Sequence, residues 1–243
     1  MKSTYLLEIS GFCPICEDSA TFVADDPWLR DSLRCTTCPN GSIPRERALA
    51  YVLNREFPKW RRKVIHECAP VSRGISLKLA REARNYVQTN LFHDEPLGAI
   101  VNGVRNENIE QTTFENEVFD LVVSLDVTEH VMRPREMFQD IYRTLKFGGA
   151  YISTFPIQKW RVEASAQRAK LDENGNIQFL AKPPEYHGNP FDEGGSLVTW
   201  DYGYSIHEEI ANWAPFSVEI SRCSSRKFGI LGDYTEVILC RKI

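Results

Sequence analysis

Two groups of residues in this chain have the types and spacing to do chemistry. The first is a pair of cysteine knuckles, Cys13-Pro14-Ile15-Cys16 and Cys35-Thr36-Thr37-Cys38, with 18 residues between Cys16 and Cys35. Four thiolates at this spacing predict a tetrahedral zinc site. Such a site has no open position for a substrate, so the zinc expected on Cys13, Cys16, Cys35 and Cys38 is structural. Disulfides are disfavoured in the cytosol, and a redox pair would need only one of the knuckles. The second group is Asp126, Thr128, Glu129 and His130, which follow directly on the apolar run Phe119–Leu125. An apolar run of that length predicts a strand buried on both faces. In open α/β sheets ligands bind beyond the carboxyl ends of the strands, so an acid and an imidazole there are placed to act on one. The competing expectation is that Glu129 and His130 simply open a loop.

These residues need a scaffold. Val64–Pro70 predicts a strand entering a turn, and Ile75–Ala83 a helix, together a strand–turn–helix unit. Tyr86–Asn90 predicts a second strand, and residues 94–108 have no clear period. Pro134 predicts a helix start, with Met137, Phe138, Ile141, Tyr142 and Leu145 on its apolar face. Gly148-Gly149 predicts its end, before a strand at Ala150–Phe155. Upstream, a helix is expected from Pro44 through Leu53, capped by Ser42 and stopped by Pro58. The basic run Lys59–Lys63 reads as a solvated lead-in rather than a nucleic-acid contact. Residues 156–204 carry scattered proline, glycine, asparagine and aromatics, the pattern of a packed lid. A helix near 205–213 and strands at 217–221 and 234–240 close the chain, the last pair suiting an antiparallel edge.

Composition narrows the function. At 243 residues the chain can hold one α/β domain and a small appendage. A net charge of −4 argues against a general nucleic-acid binder. The longest apolar runs are strand-length, which excludes a helical membrane span, and the first residues do not form a signal peptide. A cytoplasmic protein is expected. The expected organisation is a zinc-ribbon module over 1–42, a linking helix over 43–59 and a catalytic domain over 60–243, with a substrate lid at 156–204.

Three segments in this order resemble class I S-adenosylmethionine-dependent methyltransferases of the type 11 group. They are Val64–Pro70 entering a helix, Phe119–Val123 leading to Glu129-His130, and Leu145-Lys146-Phe147-Gly148-Gly149-Ala150-Tyr151-Ile152, which is similar to the family's L-K-P-G-G turn. The resemblance is strong over roughly 60–155 and holds by pattern over 200–243. It implies a Rossmann-like α/β fold with a seven-stranded, mostly parallel sheet and an antiparallel last strand. It also implies a cofactor site: Glu67, Cys68, Ala69 and Pro70 under the methionine part of S-adenosylmethionine, Asn90 at the ribose, Asn108 and Ile109 at the adenine, and Asp126 beside the methyl group. Ala69 and Pro70 stand where the family places glycines, and only Gly74 follows. The stretch Pro184–Pro190 looks like a subgroup of bacterial methyltransferases of glycan pathways.

Methyl transfer at a sulfonium carbon is an in-line displacement that gains most from alignment. If the acceptor is a hydroxyl, a base helps by about 10²–10⁴-fold. His130 and His187 are the candidate bases, because histidine titrates near neutrality; Asp126 orients the acceptor or takes a proton. Tyr186, Asn189, Asp192 and Tyr202 are the expected contacts to a polar acceptor. The expected activity is methylation, at oxygen, of a small-molecule or glycan-type acceptor. Alternatives are a ribosomal-RNA-type methyltransferase with an RNA-docking ribbon, a sugar carbon-methyltransferase, and a non-catalytic cofactor-binding scaffold. Oligomeric state is not legible.

Overall fold

A computed structural model describes residues 5–189 and 192–243, with the side chains of 189, 192 and 193 also outside the description. The elements in order begin with strands β1 (Leu7–Cys13) and β2 (Asp18–Ala24), helix α1 (Leu29–Ser32), β3 (Arg34–Cys35) and helix α2 (Pro44–Glu56). Next come β4 (Val64–Cys68), α3 (Gly74–Glu82), β5 (Asn85–Asn90), β6 (Ile100–Val101), β7 (Val104–Asn106) and β8 (Phe119–Leu125). After α4 (Pro134–Thr144) and β9 (Leu145–Thr154) lie six short strands: β10 (Ala166–Gln167), β11 (Ala169–Leu171), β12 (Ile177–Phe179), β13 (Tyr186–Asn189), β14 (Asp192–Leu197) and β15 (Trp200–Asp201). Helix α5 (Ile206–Trp213), β16 (Phe216–Arg222) and β17 (Glu236–Lys242) complete the chain.

The central sheet has the order β16-β17-β9-β8-β4-β5-β7-β6. Pairing is parallel from β9 through β8, β4 and β5 to β7, and antiparallel at β17 against both β9 and β16. This is an open α/β fold with a mostly parallel sheet and an antiparallel edge. The seven expected strands gain an eighth among the described residues, the two-residue β6, which hairpins onto β7 in the stretch without period. Asn106 organises that stretch: its amide nitrogen donates to the carbonyls of Phe92 and Glu95 at 3.0 and 2.7 Å, and its oxygen accepts from Phe92 N–H.

Successive residues of a strand face opposite sides, and each side of the sheet is covered differently. Ile65, Leu121, Val123, Ala150, Ile152, Val237 and Leu239 share one apolar core with α2, α3 and the cysteine-bearing strands β1–β3. Val122, Tyr151, Ile238 and Cys240 pack on the other side with Met137, Phe138 and Ile141 of α4 and Ile206 and Ile210 of α5. The N-terminal strands are thus part of the cover of the sheet. Arg47 on α2, fully buried, is the pin. Its guanidinium donates to the carbonyls of Ser42, Leu33 (2.8 Å) and Gly229 (2.6 Å) and stacks on Phe22, 4.7 Å from the ring centre.

Several local expectations are corrected. The residue preceding α2 is Ile43, whose N–H donates to Glu46; the hydroxyl of Ser42 instead faces Cys38 Sγ and Arg47. Helix α4 stops at Thr144, four residues before the Gly-Gly pair, and Leu145 is already extended and paired to Phe119. The register then jumps from Phe119↔Leu145 to Leu121↔Ala150, so Lys146–Gly149 loop out of the sheet. A Cβ at Gly149 would meet the carbonyls of Lys146 and Asp120 at 2.8 and 2.9 Å, which is why this turn takes glycine. Trp60 in the basic run is buried, with Arg61 over its ring, and Arg61 pairs with Glu17 and Glu82. Residues 156–204 carry three short antiparallel pairs, β10–β15, β11–β12 and β13–β14. No helix among the described residues is long and apolar enough to cross a membrane.

Replacing Arg47 by alanine strands the carbonyls of Leu33 and Gly229 in an apolar core, each costing about 1–3 kcal/mol when unpaired, while Ser42 O keeps the Cys35 N–H. Urea unfolding of Arg47→Ala is expected to show a loss of roughly 3–5 kcal/mol. Arg47→Lys should recover only part of it, since an ammonium cannot reproduce the planar fork.

Candidate active site

The carboxyl ends of β4, β5 and β8 open into one cleft of about 2100 Å³. Its floor on the β4 side is Cys68, Ala69 and Pro70, its flank carries Asn90, Asn108 and Ile109, and its far end Asp126, Glu129, His130 and His187. One cavity therefore collects most of the residues singled out from the sequence. Tyr186 lines it too. Glu67 and Tyr202 do not. Glu67 is completely buried behind the floor, where its carboxyl accepts from Ser76 Oγ and, at 2.7 Å, from Tyr86 OH. Tyr202 is also fully buried, and its hydroxyl donates to the carbonyl of Thr128 at 3.0 Å. The side chains of Asn189 and Asp192 lie outside the described residues.

The first loop is built around its departures from the glycine-rich pattern. Ala69 has φ +56°, a left-handed conformation that costs an alanine roughly 1 kcal/mol and a glycine almost nothing. Its N–H donates to Thr89 O at 2.8 Å, which holds the turn. At Gly74, φ is +53° and a Cβ would lie 2.1 Å from Glu46 Oε2. Glycine is required there because the buried Glu46 side chain of α2 comes in to pair with Arg73 Nε at 2.7 Å.

Asp126 closes the opposite side. It too has positive φ, +53°, and its carboxylate is held at 2.7 Å by Arg30 Nη2 of α1 and at 2.7 Å by Arg45 Nε of α2. Burial raises its pKa, but Arg45 and Arg30 outweigh burial and hold the carboxyl below the usual range. With both guanidinium groups on it, Asp126 is a fixed negative charge and a poor proton acceptor. Arg30 and Arg45 had no distinguishing signal in the sequence; only the fold brings them to the cleft.

The turn Thr128–His130 is tied to the insertion above it. Glu129 O accepts from Thr199 N–H at 2.8 Å and Thr199 Oγ1 at 3.0 Å, and His130 Nδ1 donates to Leu197 O at 2.9 Å. This brings His187, from β13, within 5.1 Å of His130, ring centre to ring centre, at 88°. Glu129 is 1% exposed, and neither carboxylate oxygen has a hydrogen-bond partner. Glu129 was noted in the sequence without a role of its own, and Glu185 carried no signal there.

At the other end of the N-terminal module, Cys13, Cys16, Cys35 and Cys38 bring their sulfurs within 4.8 Å of one another. Sulfurs 2.3 Å from a tetrahedral zinc sit about 3.8 Å apart; Cys13–Cys38 at 3.6 Å and Cys16–Cys35 at 3.9 Å match that, and Cys16–Cys38 is closer at 3.0 Å. The group could hold a metal. The other three cysteines are apart from it, Cys68 and Cys240 buried and Cys223 half-buried.

Burial pushes the Glu67 carboxyl up to about 7, against the hydrogen bonds from Ser76 and Tyr86. The folded state then holds a proton that the unfolded chain releases near pH 4.3. Stability from this group is full below about pH 4 and falls as pH rises through about 7. Glu67→Gln removes the ionisation. Thermal unfolding across pH 4–8 is expected to show the variant gaining on the parent by up to roughly 3 kcal/mol, the gain building from about pH 4.5 and levelling off above about pH 7.

The "Methyltransferase domain" family model of type 11 matches residues 65–153, the span from β4 through β9 that forms the cleft. A search of curated proteins finds no match to the sequence. Among solved structures, an S-adenosylmethionine-dependent methyltransferase from Mesorhizobium loti superposes with a TM-score of 0.51 at 12% identity, over 80% of this chain and 97% of that one. The PH0226 protein of Pyrococcus horikoshii OT3 gives 0.51 at 17% identity, over 82% and 90%. At these identities the structural likenesses concern the fold. The matched span covers the strands and helices of β4 through β9, and with the strand order and the cleft at the carboxyl edge it gives this chain a methyltransferase-domain match over that segment within an α/β methyltransferase fold.

Proposed function

We propose that the chain transfers the methyl group of S-adenosylmethionine to an oxygen of a small-molecule or glycan-type acceptor. The observation that carries this reading is the composition of the far end of the cleft: Glu129, His130 and His187 meet there beneath the insertion. A sulfonium donor leaves as a neutral thioether, so the protein need only align the acceptor and handle its proton. Cys68, Ala69 and Pro70 would support the methionine part of the cofactor, Asn90 the ribose, and Asn108 with Ile109 the adenine. Asp126 would keep a fixed negative charge near the sulfonium. The insertion 156–204, with Tyr186 on its cleft side, would act as the substrate lid over the domain 60–243. The net charge of −4 weighs against a nucleic-acid acceptor.

The four cysteines would hold a structural zinc in a ribbon over 1–42, joined by the helix region 43–59. Their soft donor set and spacing support zinc, and four thiolates leave no position for a substrate. Seven unpaired cysteines accord with a cytoplasmic protein.

Saturating S-adenosylmethionine at about 100 times Kd should stabilise the protein by about 2.7 kcal/mol, a rise in Tm of roughly 5–10 °C. Labelled methyl from the cofactor should appear on hydroxyl-bearing sugars or sugar nucleotides as alkali-stable ether. Label on carbon or on RNA instead would overturn the oxygen-acceptor reading.

Metal analysis should find one zinc per chain. Cys35→Ser should lose it and, because the module shares the sheet's core and supplies Arg30, should also weaken cofactor binding. A metal content well below one per chain would remove the ribbon.

A further inference from the structure

We infer that Glu129, His130 and His187 form a second metal site, one that takes a divalent first-row transition-metal cation with an open coordination position facing the cleft. The ligand atoms are Glu129 Oε1, His130 Nε2 and His187 Nδ1. The carboxylate oxygen lies 3.8 Å from the first nitrogen and 3.6 Å from the second, and the three atoms fall within 4.8 Å of one another. Ligands about 2.1 Å from one ion at tetrahedral angles sit about 3.4 Å apart. A small inward adjustment seats a cation.

Two features besides proximity point to an ion. The first is Glu129 itself: a carboxylate 1% exposed, aimed at the cleft, with no hydrogen bond to either oxygen. A buried carboxylate with only two imidazole nitrogens near it, at 3.8 and 3.6 Å, gains by pairing with a cation seated between them. Asp126, three residues earlier, is not available as a ligand, since Arg30 and Arg45 occupy it. The second feature is that both rings are oriented from behind. His130 Nδ1 donates to Leu197 O at 2.9 Å, which leaves Nε2 as the lone-pair nitrogen on the Glu129 side. His187 Nε2 lies 3.4 Å from Glu185 Oε1, so its proton faces that carboxylate and Nδ1 faces Glu129. Metal-ligating histidines are set in this way, with the second ring nitrogen on a carbonyl or carboxylate.

Two imidazoles with one carboxylate favour zinc, manganese or iron over magnesium. Three protein ligands leave room for an exchangeable fourth, as in catalytic rather than structural sites. For an oxygen acceptor the use is direct. The hydroxyl binds the cation and loses its proton to water; its lone pair then forms the oxygen–methyl bond while the carbon–sulfur electron pair returns to sulfur. This role rests on the oxygen-acceptor reading, whereas the ion site itself does not.

The test is a titration of the full-length protein, with its four-cysteine group left loaded, with Mn²⁺ followed by the loss of the free-ion electron spin resonance signal. Mn²⁺ is a hard ion that does not displace a soft metal from four thiolates. One Mn²⁺ per chain is expected without cofactor or acceptor present. Glu129→Gln and His187→Gln should each weaken binding at least tenfold, and Glu185→Gln about tenfold through loss of ring orientation. Each variant's melting shift with S-adenosylmethionine shows that it is folded. Absence of Mn²⁺, Co²⁺ or Zn²⁺ beyond the thiolate site, or undiminished binding in the two ligand variants, overturns the site. Methylation at oxygen that continues unchanged after chelation has emptied the site overturns the ion's role and leaves the acceptor reading standing. Binding without any oxygen-methylated product overturns the acceptor reading, and the ion's role with it, and leaves the ion site standing.

Discussion

One carboxylate ties the N-terminal module to the central strand at the edge of the cleft. Asp126, at the end of the central strand β8, receives Arg30 from the N-terminal module and Arg45 from the helix that follows it. Removing one partner of a buried ion pair typically costs about 3–5 kcal/mol, because the survivor is left without compensation. Here loss of the carboxylate would leave two guanidinium groups at the cleft wall with the more exposed Asp31 as their shared partner. The pairing also explains how a residue other than glycine is kept at φ +53°: its side chain is fixed from two directions. Charge neutralisation thus links the module to the site across nearly a hundred residues of sequence, and the cleft is complete only with the module in place.

The same N-terminal elements shape the β4 end of the cleft. Glu46 of α2 reaches the first loop to pair with Arg73, and its carboxylate occupies the space that a side chain at residue 74 would need. The loop has spent its one glycine there and accepts the strain at Ala69. A loop with more glycine would approach a ligand more freely. This one is instead held by ion pairs and hydrogen bonds, which suits a cofactor without a phosphate to cradle. Glu67, behind the loop, is satisfied by Ser76 and Tyr86 and supports the floor without entering the cleft.

At the far end of the cleft both the sheet and the insertion contribute. β8 delivers Glu129 and His130 on one turn, and β13 returns His187 some sixty residues later. Thr199 and Leu197 fasten the two segments by backbone carbonyls, so the meeting of the two imidazoles follows from main-chain pairing. The insertion is correspondingly strand-paired, even though no periodicity announces it: strands of two to six residues are too short to show an alternation.

Local signals carried much of the fold. Apolar runs identified β4, β8 and the later part of β9, proline marked the starts of α2 and α4, and two CxxC knuckles announced a four-thiolate cluster. Each of these depends on neighbours in sequence. Where a long-range contact decides, the local signal misled. Helix α4 ends at Thr144 because Leu145 pairs with Phe119, and the Gly-Gly pair serves a loop out of the sheet. Ser42 turns to a cysteine and a buried arginine rather than capping a helix. In the site, residues on the floor and flank were legible, because an open α/β sheet places strand ends in one cleft. The partners of Asp126, the burial of Glu67 and Tyr202, and the meeting of Glu129 with two imidazoles were set only by tertiary packing. Burial and charge pairing depend on which distant segments arrive beside a residue, and that is written in the folded arrangement of the whole chain rather than in any one stretch of it.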